Sequence, residues 1–247
     1  GAEGKELVFL CITPTWVTSS VPGSYGFWFL DEREELANFI RDTEGVPSVV
    51  RVAGDLHRSL IDDGVATDYS TGGGLGMAHV TASAFWSGSN INYGSESEWL
   101  GTPSVYTTGT KFYTRFNILA SGGRITGWEC RFYGEPFGEG YAPTLLGTYS
   151  TEDAEREIAF TEPSMNVASE ETVEVEVERS FVGIGPSSAT WTSSDAQSGT
   201  VTFRPNQRLA TISVVAPVSG SITVTLSDAE GLNTALGSQA TITLTVA

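Results

Sequence analysis

The segment Thr172 to Glu178 alternates without a break, three valines pointing one way and three glutamates the other. A period of two residues fits an extended strand with one buried and one solvated face. Such a strand is stable only inside a sheet that packs on a second layer, so its surroundings must supply both. They do. Short apolar-alternating runs recur at 189–193, 199–203, 210–215, 221–226 and 240–246, separated by Gly, Pro, Asn and Ser. Six or seven strands at this spacing predict an all-β sandwich over residues 163–247. Its expected core is Val173, Val175, Val177, Trp191, Phe203, Ile212, Val224 and Ile242, with Glu174 and Glu176 exposed.

The amino-terminal part has a different rhythm. Lys5 to Thr13 is an apolar strand, followed by Pro14-Thr15-Trp16 and a Gly/Ser/Pro-rich loop through Trp28. Asp31 and Glu34 form an Asp-x-x-Glu capping pattern, and Leu36, Phe39 and Ile40 give a helical stripe. A Gly45-Val46-Pro47 turn then leads to the strand at Val49. Strand, helix, strand is a βαβ unit, and α/β sheets keep their chemistry at the carboxyl ends of the strands. This strand ends in Gly54-Asp55-Leu56-His57, so a carboxylate and an imidazole follow a residue that permits a sharp bend. That pair suits Zn, Fe or Mn. Asp55 and His57 are therefore the candidate metal ligands, a strand-end cap and a satisfied polar histidine being the plain alternatives.

Residues 5–133 resemble the PhoD-like alkaline phosphatases, a branch of the calcineurin-like metallophosphoesterases. The resemblance lies in order: a strand and Trp-containing loop, a helix with Glu32-Arg33, a strand ending in Gly54-Asp55-Leu56-His57, the stretch Asp68 to Gly73, and a closing hairpin. The hairpin strands are Lys111–Ile118 and Ile125–Phe132, joined through Ser121-Gly122-Gly123. The tail, in particular the run from Gly199 to Pro217, resembles Calx-β and bacterial Ig-like modules. The implied fold class is α/β, a partial metallophosphoesterase β-sandwich flanked by helix, joined to an all-β Ig-like sandwich. The domains are then 1–133, a linker at 134–162, and 163–247.

The family's other ligand motifs, an earlier Asp-x-His, a Gly-Asp-x-x-Asp and a Gly-Asn-His-Asp/Glu, are absent; His57 and His79 are the two histidines of the sequence. The resemblance thus implies the carboxyl-terminal portion of a secreted phosphomonoesterase or phosphodiesterase. Its divalent metals (Fe, Zn, Mn or Ca) and phosphate-ester substrate would be held together with an upstream half or another chain covering an otherwise bare sheet. The alternatives are a non-catalytic structural or surface assembly protein, on a cell or a virus particle, and a carbohydrate or adhesion module using Trp86, Tyr93, Trp99 and Tyr106.

A formal charge of −17 argues against nucleic acid and anionic membranes as partners. No stretch reaches the roughly 20 apolar residues of a membrane span. The expected location is extracellular, cell-surface, virion or periplasmic. Cys11 and Cys130 read as buried free thiols, a disulfide being the alternative. Gly72-Gly73-Gly74 lacks the Lys-Ser/Thr of a nucleotide loop and is expected at the rim of the active site. Asp62-Asp63-Gly64 reads as a turn. The glutamate face at 174–178 reads as solvated, calcium binding being the alternative.

Overall fold

The structure is a computed structural model that describes residues 6–12, 30–53, 60–62, 64, 68–81, 110–136, 144–151, 156–180 and 184–246. Its first unit has three layers. Strands β1 (Leu7–Cys11), β2 (Ser48–Ala53), β3 (Leu60–Asp62) and β4 (Ala78–Thr81) form one sheet in the order β1-β2-β4-β3. The first three in that order run parallel, and β3 is antiparallel to β4. Helix α1 (Leu30–Asp42) covers one face, packing Leu36, Ala37 and Ile40 on Leu10, Val49 and Met77. The other face meets an antiparallel sheet of β5 (Thr110–Ser121), β6 (Arg124–Pro136) and β7 (Thr144–Ser150). Phe9, Val50, Ile61 and Val80 pack there on Trp128, Cys130 and Phe132.

The second unit is a two-sheet sandwich. Strands β8 (Arg156–Phe160), β10 (Thr172–Arg179), β13 (Leu209–Val215) and β15 (Thr234–Leu236) pair in the order β13-β10-β8-β15. Facing them are β9 (Ser164–Val167), β11 (Ser187–Ser193), β12 (Ser198–Phe203), β14 (Ser221–Glu230) and β16 (Thr241–Val246), ordered β12-β11-β14-β16-β9. All eight predicted core residues share one cluster between these sheets, and Glu174 and Glu176 are exposed. Gly199 sits opposite Trp191, where a Cβ would stand 2.7 Å from the indole Nε1, so the missing side chain lets the ring lie across the neighbouring strand.

Several expectations need correction. The chain is mostly β, with α1 the one helix among the described residues, rather than α/β in the broad sense. Ala37, not Phe39, completes the buried stripe; Phe39 lies roughly 100° round the helix from Ile40 and is 55% exposed. The stretch 134–162 carries the end of β6, β7 and β8 rather than a bare linker. Its charges misled because β8 is amphipathic: Arg156, Ile158 and Phe160 point inward and Glu157 outward. The parallel sheet is not bare, since α1 and the β5–β7 sheet cover its two faces from within the chain. Cys130 is buried but Cys11 is exposed, and both are free.

The two units are joined by hydrogen bonds at the amino-terminal end of the parallel strands. The Asn206 side chain accepts from the Val49 amide (2.8 Å) and donates to the Pro47 carbonyl (2.7 Å). Gly185 N donates to Ser48 Oγ at 3.0 Å, and Arg204 Nη1 to the Asp42 carbonyl at 2.5 Å. Gly76 N donates to Asn206 O and Arg208 N to Gly74 O, while Leu75 and Gln207 form an antiparallel bridge. The sandwich therefore grips one end of the sheet.

Candidate functional site

The opposite end of the sheet is where β2 delivers the chain to Gly54. Alternation along β2 points Val50 and Val52 toward the β5–β7 sheet and Val49, Arg51 and Ala53 toward α1. In β4 the same rule pairs Ala78 and Val80 on one face and leaves His79 and Thr81 on the other. Register places Arg51 beside His79 and Asp62 on His79's far side. Four polar side chains, Arg51, Asp62, His79 and Thr81, thus share the helix-covered face near the carboxyl ends of the parallel strands, with exposures of 3% or less.

Arg51 Nη1 lies 2.8 Å from His79 Nε2. A guanidinium can only donate, so Nε2 accepts and the imidazole proton resides on Nδ1. Burial first, and the Arg51 charge second, hold His79 well below its usual 6.5, so it is neutral at ordinary pH. Burial and the Arg33 charge lower Arg51 to about 9, which still leaves it cationic at neutrality. Arg33, in the first turns of α1, lies 3.4 Å over the Tyr69 ring in a cation–π contact. Asp62 Oδ2 accepts from Gly64 N at 3.0 Å, the local turn expected for Asp-x-Gly.

This arrangement has a stability consequence. His79 charges readily in the unfolded chain and poorly in the folded one, so its contribution is complete above pH 6.5 and is lost as pH falls below that value. His79→Gln, which keeps an acceptor for Arg51, should flatten the acid limb by up to about 1.4 kcal/mol per pH unit. Urea unfolding at pH 5 to 8 checks this; equal slopes in the two proteins would remove His79 as the cause.

Asp55 and His57 lie outside the described residues. The described residues that flank them, Ala53 and Leu60, both stand at the carboxyl end of β2 and β4, paired respectively with Thr81 and with Thr81 from its other side. The described side chains here do not by themselves fit a divalent metal. His79 Nε2 faces a guanidinium, Asp62 is engaged by Gly64, and no group of three His, Cys, Asp or Glu suited to a metal exists among the described residues. Two arginines at this end favour an anion instead.

The glycine loop is at the other end. Gly72, Gly73 and Gly74 all have positive φ and precede β4, which runs parallel to β2, so they lie at the amino-terminal end of the strands, not at the expected rim. Arg41 Nη1 holds the carbonyls of Thr71 (2.8 Å) and Gly73 (2.6 Å), and Asn38 exchanges hydrogen bonds with Thr71. The carbonyls of Thr71, Gly73 and Gly74 and the amides of Thr71 and Gly73 are thus committed to structure. Sequence reading missed Arg51 and His79; the available signal was a charged residue set inside an apolar strand in each case.

Burial pushes the Cys130 thiol up to about 12, which makes it unreactive. No helix among the described residues is long and apolar enough to cross a membrane. No protein-family pattern, curated protein or solved structure matches this chain.

Proposed function

We propose that the chain is the carboxyl-terminal portion of a metal-dependent phosphoester hydrolase, carrying a β-sandwich of the Calx-β or bacterial Ig-like kind. The observation that supports this is positional. A buried, parallel, interior strand, β2, ends with Ala53 at the end of the sheet remote from the sandwich junction, where parallel sheets place ligands, and the sequence continues from it as Gly54-Asp55-Leu56-His57. In this reading Asp55 and His57 contribute to a metal site completed by groups outside this chain, and Arg33 and Arg51 supply positive charge toward the phosphate.

The test is equilibrium dialysis of the full chain against Mn2+ or Zn2+, with hydrolysis of bis(p-nitrophenyl) phosphate assayed in parallel. The expected result is at most one ion bound, uptake lost in His57→Ala, and no turnover, because two side chains cannot fix two metals and leave room for water. Uptake indifferent to His57→Ala would sink the reading.

The alternative, a non-catalytic structural or surface assembly protein, has its own support in the junction. Asn206, Gly185 and Arg204 tie the two units together by buried or backbone-directed hydrogen bonds, as suits a rigid building block. Absence of any metal uptake by the full chain favours it.

A further inference from the structure

Where the β5–β6 hairpin tip approaches the sandwich there is a cleft of about 600 Å³, within the size range of small-molecule sites and at the junction of two units, where such sites concentrate. Its walls are apolar: Pro47, Pro186, Pro205, Ile125, Ile184 and Leu232. Proline rings lose almost no side-chain entropy on being covered, so three of these walls are preformed. The charged groups of the lining are Glu6 and Arg124, beside the hydroxyls of Ser121 and Thr126.

Their hydrogen bonds are unequal. Glu6 is satisfied at both oxygens, Oε1 accepting from Arg124 Nε (2.9 Å) and Oε2 from Ile125 N (2.7 Å). These two donors, the Ile125 amide foremost, hold its carboxyl below the usual range, so it stays ionised. Arg124, by contrast, uses one of its five N–H groups. The four on Nη1 and Nη2 meet no acceptor among the described residues, and the side chain is 81% exposed at the cleft. A cation entering here meets a carboxylate already engaged; an anion meets free donors.

We propose that this cleft binds a small amphipathic anion, an apolar body bearing one carboxylate or sulfonate, with Arg124 as its charged anchor. The site is at the opposite end of the parallel sheet from Ala53, where β2 ends, and the inference does not depend on the phosphoester reading.

Two probes separate the anchor from the apolar walls. 8-Anilino-1-naphthalenesulfonate carries the sulfonate, and N-phenyl-1-naphthylamine is the same ring system without it. Fluorescence titration of the full chain should show saturable binding of both at one site. Arg124→Gln should weaken the sulfonate about tenfold, the loss of one charge-assisted contact, and change the neutral probe less than twofold. Arg124 is exposed, so an unchanged melting curve establishes that the variant is folded. The proposal is overturned by unsaturable binding, by no binding of the sulfonate, or by equal effects of Arg124→Gln on the two probes.

Discussion

Asn206→Ala should make the two units unfold in separate transitions where the parent is expected to unfold in one, and lower the first midpoint by roughly 6–12 °C. The side chain is 1% exposed and spans the two units, accepting from Val49 N and donating to Pro47 O. Alanine leaves both backbone groups buried without a partner, at about 1–3 kcal/mol each. A loss of about 3 kcal/mol corresponds to the stated shift, since 1 kcal/mol moves a chain of this size by about 2–4 °C. The transition splits because Asn206 sits at the centre of the junction, beside the Gly76 N to Asn206 O bond and the Leu75–Gln207 bridge. Asn206→Asp keeps the acceptor, loses the donor and buries a charge, so it should do at least as much damage at pH 7. Differential scanning calorimetry reads both effects; a single transition within 2 °C of the parent would show that the junction does not couple the units.

How far the sequence disclosed this fold follows from the range of the interactions involved. Strand β10 was legible because its signal is local: each valine is two residues from the next, and the register follows. The hairpin of β5 and β6 was legible from Ser121-Gly122-Gly123, where Gly122 and Gly123 do adopt positive φ. Strand β8 was hidden by its charges, since Arg156 is buried through a bond to the Ile184 carbonyl that no neighbouring residue announces. That the Asn206 side-chain amide reaches a strand 157 residues earlier has no local trace in the sequence. The candidate site divides the same way. Gly54-Asp55-Leu56-His57 shows itself by spacing, whereas the Arg51–His79 contact exists because β2 and β4 lie side by side, which only the completed sheet determines.

Arg179→Met should be the most damaging single change in the sandwich, lowering stability by about 3–5 kcal/mol. Arg179 is fully buried and has no carboxylate partner among the described residues; its acceptors are Ser187 Oγ (3.0 Å) and the carbonyls of Gly185 (3.5 Å), Arg204 (2.9 Å), Pro205 (3.0 Å) and Gln207 (2.6 Å). Burial lowers its pKa to about 9, yet at pH 7 the guanidinium keeps its charge and the carbonyl dipoles offset the lost hydration. Methionine fills similar volume and leaves those carbonyls without donors. Arg179→Lys should recover little, because one ammonium cannot reach acceptors spread over a fork. These carbonyls belong to the 204–207 turn, which is the turn that aims Asn206 at β2. Loss of Arg179 should therefore also release the junction, and the two substitutions should not add. Urea unfolding of Asn206→Ala, Arg179→Met and the double variant forms the cycle that tests this. A double-variant loss smaller than the sum by about 1 kcal/mol or more is the expected coupling, and strict additivity would mean that the turn holds its shape without the arginine.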